Sequence, residues 1–124
     1  MRVEETAMED AEIAIFAYGS VARSAKAVVK WARAQGVPVG MVRPITLWPF
    51  PLDLLKPLLP HLRRIVVVEA SPGQLEDELR LALSHAGVGG VDIRQVRRMG
   101  GVLPSQREIA AGVRAALRGE EART

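Results

Sequence analysis

Apolar positions are distributed along the chain in two ways. Short runs that are almost wholly apolar or β-branched are followed by longer stretches with an apolar residue every third or fourth position. The first kind suits strands covered on both faces and the second suits amphipathic helices. The chain therefore reads as successive βα units on a mostly parallel sheet, in the order βαβαβαβα. Ile13–Ala17 is continuously apolar and stops at Tyr18-Gly19-Ser20, which predicts a buried strand and a turn. Ser20 is placed to cap a helix in which Val21, Ala25, Val28 and Ala32 make an apolar stripe. Arg23, Lys26, Lys30 and Arg33 fall on the opposite side, and Gly36 is the stop.

A second strand is predicted over 37–42. From Arg43 to Pro51 the prolines Pro44, Pro49 and Pro51 exclude a continuous helix or a central strand, so this stretch reads as a rigid loop. A short helix over 52–59 follows, with Pro57 distorting its end. Ile65–Glu69 holds three adjacent valines and is expected at the centre of the sheet. Ser71, Pro72 and Gln74 form a capping arrangement for a helix reaching about Ala86. Leu75, Leu79, Ala82, Leu83 and Ala86 share its buried face, and Gly87 ends it. A half-exposed strand over 91–96 is broken by Gly100 and Gly101. The last helix opens on a capping box of Ser105 and Glu108 and buries Ile109, Val113, Ala116 and Leu117, with a frayed tail expected over 119–124.

Composition narrows the classes of function. With 124 residues and 48% hydrophobic content, the chain fits one ordinary domain. No apolar run approaches the roughly 20 residues needed to cross a bilayer, and the first residues lack a signal-like stretch, so a cytoplasmic, membrane-free protein is expected. The net charge of +3 is dispersed, and the doublets Arg63-Arg64 and Arg97-Arg98 have no aromatics beside them, which argues against a nucleic-acid partner. With no cysteine, the chain cannot ligate an iron–sulfur cluster or offer a thiol nucleophile. His61 and His85 have no carboxylate at metal-ligand spacing.

In an open parallel sheet, functional groups gather at the carboxyl ends of the strands. Here those loops are Tyr18-Gly19-Ser20, Arg43 through Phe50, Glu69 to Ser71 and Met99 to Gly101. The first turn lacks the glycine pattern of a dinucleotide site, no phosphate-binding loop is present, and no nucleophile elbow surrounds Ser20. No catalytic, cofactor-binding or metal-binding residue is therefore assigned. Glu69 follows three buried valines and needs a partner. It is expected either to cap the next helix or to make an inter-domain contact, and the two remain equal at this point. Gln74 is accounted for by capping. Trp48 and Phe50, held between prolines, favour an aromatic contact surface over core anchoring.

Taken in order, Tyr18 to Ser24, Arg43 to Pro51, Val66 to Glu69 with Gly73 and Gln74, and Gly100-Gly101 with Leu103-Pro104 carry a family resemblance. They resemble the alpha subunit of 2-oxoacid:ferredoxin oxidoreductases, over nearly the whole chain from about Glu9 to Leu117. The run Arg43 to Pro51 is its specific element. Ser71 departs from a frequent asparagine while preserving the capping function. The resemblance implies a transketolase C-terminal-like domain: a three-layer α/β/α sandwich with a mixed five-strand sheet and one antiparallel edge strand, for which residues 2–5 are available. It further implies a longer subunit whose enzyme converts a 2-oxoacid and coenzyme A to acyl-CoA and carbon dioxide and reduces ferredoxin. Thiamine diphosphate, magnesium and iron–sulfur clusters would be held by other alpha-subunit domains and a beta subunit. On this basis Tyr18, Gly19, Ser20, Arg43, Trp48, Phe50, Glu69, Gln74, Gly100 and Gly101 are expected to be interface or structural residues of a non-catalytic assembly domain. The alternative is a regulatory domain binding an anion or nucleotide at the helix starts near Ser20, Ser71 and Ser105.

Overall fold

The strand Ile13–Ala17 has no polar side chain to place in water. In a computed structural model of the chain, which describes residues 3–19, 21–44, 56–69, 74–97 and 104–118, all five of its residues are buried. It is β2, the middle strand of a five-stranded sheet ordered β1-β3-β2-β4-β5. The others are β1 (Val3–Thr6), β3 (Val39–Pro44), β4 (Arg64–Glu69) and β5 (Ile93–Arg97). β2 pairs in parallel with β3 and β4, β4 pairs in parallel with β5, and β1 lies antiparallel on β3. The mixed sheet with one antiparallel edge is the architecture that the family resemblance implies, and Val3–Thr6 supplies that edge. β4 is interior, as a valine run should be, although the middle place belongs to β2.

Alternate residues of the strands point into two cores. Ile13, Ile15, Ala17, Val66 and Val68 meet α1 (Val21–Ala34) and α3 (Gln106–Arg118) on one face. Ala14, Phe16, Ile65 and Val67 meet α2 (Gln74–His85) on the other. The apolar stripes of all three helices lie on the faces their periodicity indicates, and the three-layer sandwich follows. α1 and α2 each end in a Schellman turn. Gly36 and Val37 donate to Arg33 and Ala32, and Gly87 and Val88 donate to Ser84 and Leu83, with both glycines at positive φ. α3 begins with the expected capping box: Glu108 N donates to Ser105 Oγ at 3.1 Å and Ser105 N donates to Glu108 Oε1 at 3.0 Å.

Several boundaries differ from expectation. β3 starts at Val39 rather than Val37, because Val37 N–H is used to close α1 and the Pro38 carbonyl accepts from Glu12 N at 2.9 Å. It also runs on through Arg43 and Pro44, which pair with Glu4 and Val3 of β1. β2 accompanies β3 only as far as Val42, so Pro44 sits where the ladder has a neighbour on one side only, a place that tolerates a missing N–H. β5 starts at Ile93, because the carbonyl of Asp92 accepts from Ile65 N at 2.9 Å ahead of the ladder. Between β3 and β4, residues 56–61 form a 3₁₀ helix rather than the end of an α-helix, since Pro57 and Pro60 supply no donors for α-helical bonds. Residues 52–55, and the tail over 119–124, lie outside the described residues.

Candidate functional site at the carboxyl edge of the sheet

The connections from β2 and β4 leave in opposite directions, to β3 on one side and β5 on the other. The carboxyl ends of β2 and β4 therefore flank the topological switch point, where open α/β sheets form their crevices. Glu69 ends β4 there and is 4% exposed. Its Oε1 accepts from Leu75 N at 2.7 Å and its Oε2 from Glu76 N at 3.1 Å, so one buried carboxylate caps the start of α2 from outside the helix. Of the two roles considered for Glu69, these bonds are those of a cap. Two of the orphan amides that any α-helix leaves at its first turn are satisfied in this way, and the negative charge lies at the positive end of the helix dipole.

On the other side of the sheet edge, a cleft of about 670 Å³ opens between β1, β3 and the first two turns of α1. Glu4, Gly19, Ala22, Arg23, Lys26, Met41 and Arg43 line it. Arg43 and Lys26 each lie 3.9 Å from a Glu4 oxygen, at half-exposed to exposed positions where such pairs contribute little. Tyr18, which precedes the lining residue Gly19 in the chain, is 43% exposed. Glu4, Arg23 and Lys26 were not anticipated here. The period of α1 marks Arg23 and Lys26 as solvent-facing but does not say that β1 and β3 form a wall opposite them. Gln74 is the first residue of α2. Ser20, Trp48, Phe50, Gly100 and Gly101, and the turn at Ser71, lie outside the described residues.

Among the described residues, every buried side-chain nitrogen or oxygen has a hydrogen-bond partner. No group of three or more His, Asp or Glu is placed to hold a metal ion there, and no helix is long and apolar enough to cross a membrane. The absence of cysteine means that this chain has no donors for a thiolate-bound iron–sulfur cluster.

A mixed five-strand sheet between helical layers, with its antiparallel strand at one edge, defines an α/β domain of the transketolase C-terminal type. The likeness to solved structures agrees. A split-gene transketolase described as an inactive beta4 tetramer superposes with a TM-score of 0.75 at 19% identity, covering 93% of this chain and 42% of that one. The 2-oxoglutarate:ferredoxin oxidoreductase from Magnetococcus marinus superposes with a TM-score of 0.78 at 22% identity, covering 92% of this chain and 19% of that one. The chain belongs to the pyruvate:ferredoxin oxidoreductase core domain II family, whose model matches residues 11–109. Among relatives, the ketoisovalerate oxidoreductase subunit VorB of Methanothermobacter thermautotrophicus is 41% identical over 114 residues, or 92% of this chain. The 2-oxoglutarate synthase subunit KorA of Methanocaldococcus jannaschii is 36% identical over 104 residues. The chain spans only 31% and 27% of the lengths of those two subunits.

Proposed function

We propose that this chain is a non-catalytic assembly domain of a thiamine diphosphate-dependent 2-oxoacid:ferredoxin oxidoreductase, one domain of a longer, cytoplasmic alpha subunit. The parent enzyme would convert a 2-oxoacid and coenzyme A to acyl-CoA and carbon dioxide. Thiamine diphosphate, magnesium and iron–sulfur clusters would be carried by the other alpha-subunit domains and the beta subunit, and ferredoxin would meet the whole complex. The observation that carries this is Glu69. This buried carboxylate at the carboxyl end of β4, where an α/β enzyme would keep a reactive group, has both oxygens engaged by the backbone of α2. Ser105 and Glu108 are likewise engaged with each other at the start of α3. Two of the three helix starts required by an anion-binding domain thus carry their own internal acceptors. In this role Tyr18, Arg43, Trp48 and Phe50 form the contact surface toward neighbouring domains, the aromatic pair acting as anchors held in place by the flanking prolines.

The test is calorimetric titration of the purified chain with thiamine diphosphate and magnesium, together with an assay of 2-oxoacid-dependent dye reduction. No saturable heat and no reduction are expected. Micromolar binding of the cofactor to this chain alone would overturn the assignment.

A further inference from the structure

The cations that look dispersed along the sequence are gathered by the fold. α1 carries four basic residues and no acid, and α3 carries three basic residues and one acid, Glu108, which is held in its capping box. Both helices cover the same face of the sheet. α2, on the opposite face, carries three acids and one arginine. The two outer layers of the domain thus differ in charge sign. Arg23, Lys26, Lys30, Arg107 and Arg114 are exposed on the basic layer. Among the described residues, Arg23, Lys30 and Arg107 have no acidic partner, and Lys26 has only Glu4 at 3.9 Å.

The layer also has an apolar centre. Trp31 is 44% exposed, a large ring left at the surface between the two helices, and the Arg114 guanidinium lies 5.2 Å from its centroid. The exposed alanines Ala34 and Ala111 lie on the same two helices. Tryptophan and arginine are the residue types most enriched where protein interfaces concentrate their binding energy, and a ring of like charge around them selects an opposite charge in the partner.

We propose that the α1–α3 face docks an acidic surface on a separate polypeptide, with Trp31 and Arg114 at the centre and Arg23, Lys26, Lys30 and Arg107 as the charged rim. A protein fits better than a nucleic acid. One face of the Trp31 ring is already covered by a guanidinium, the cations of α1 and α3 are interleaved with alanines rather than aromatics, and the acidic α2 layer would repel a polyanion that wrapped the domain. The inference stands whichever enzyme the partner belongs to.

The test uses the full chain, affinity-tagged in its own organism, with the intact assembly treated with a zero-length carbodiimide that joins lysine amines directly to carboxylates. Amide links from Lys26 or Lys30 to Asp or Glu of one separate polypeptide are expected. Trp31→Ala should weaken retention of that polypeptide about 30-fold or more. Arg107→Glu, at an exposed site, should weaken it with the thermal midpoint unchanged, so that lost binding is distinguished from lost folding. Three results would overturn the inference: links only to acids of the same chain, an intact assembly with no link at either lysine, or retention abolished by nuclease. A linked polypeptide that is no oxidoreductase subunit would overturn the proposed function and leave the docking face standing.

Discussion

Glu69 gives the sharpest energetic expectation. Its carboxylate is almost fully buried and receives two backbone N–H groups, at 2.7 and 3.1 Å. Replacing it with alanine leaves both donors in a dry site with no acceptor. A hydrogen bond to a charged group contributes about 1.5–3 kcal/mol, and an unsatisfied buried donor costs about 1–3 kcal/mol. Losing a helix cap costs about 1 kcal/mol on its own. These ranges overlap in what they count, so Glu69→Ala is expected to lose about 3–4 kcal/mol, a large part of the roughly 5–15 kcal/mol that holds a domain together. Glu69→Gln keeps one acceptor oxygen and turns an amide NH₂ toward the second donor, so about 2 kcal/mol should be lost. Urea unfolding followed by circular dichroism measures both. Hydrogen exchange should show the added opening first at Leu75 and Glu76, before β2. A Glu69→Ala protein within about 0.5 kcal/mol of the original would refute the capping account, because that is the range of an ordinary surface substitution.

Other expectations rest on equally local geometry. A Cβ at Gly40 would lie 2.7 Å from the Ala7 carbonyl oxygen and 2.9 Å from that of Thr6, so Gly40→Ala should cost about 1–3 kcal/mol and loosen β1, measured by urea midpoint and exchange over 3–6. Arg64 binds Asp92 Oδ2 at 2.9 Å and the Ala116 carbonyl at 2.8 Å, tying the last turns of α3 to the start of the sheet, and Arg64→Ala should cost about 2 kcal/mol in the same assay. The Asp92 carboxyl is held below the usual carboxylate range first by its hydrogen bond from Arg94; burial opposes this, and the hydrogen bond from Arg64 and the charges of both arginines lower it further. Its contribution is therefore complete above the ordinary aspartate pKa of about 3.9 and is lost as pH falls through the lower folded value; Asp92→Asn should flatten the acid limb of a thermal-midpoint profile. Ser105→Ala should cost about 1 kcal/mol, and little more when combined with Glu108→Ala, because the two side chains act as one box.

Much of this fold is legible in the residues, for reasons that are local. β2 and the Ile65–Val68 stretch of β4 are continuously apolar because both of their faces are covered. α1, α2 and α3 keep a 3.6-residue stripe, and the Ser105–Glu108 box sits within one turn. What could not be read depends on groups distant in sequence. Val37 looks like strand, yet its N–H closes a helix turn. Pro44 looks like a strand breaker, yet it lies where β2 no longer needs a partner. Glu69 announces a buried charge without naming the amides of Leu75 and Glu76 that receive it. The basic layer was invisible for the same reason. Isolated cations at helical spacing look like ordinary solvated faces until the topology lays α1 and α3 side by side.

The central claim is that this domain acts by joining an enzyme rather than by holding its cofactor. Its most direct test is deletion: the parent oxidoreductase is prepared with and without this domain of its alpha subunit, and assembly mass by light scattering is measured together with 2-oxoacid-dependent dye reduction. The account predicts that the domain alone is inactive, and that the complex lacking it is smaller by more than the mass of the deleted domain and at least about tenfold less active. Full size and full activity in its absence would contradict the account.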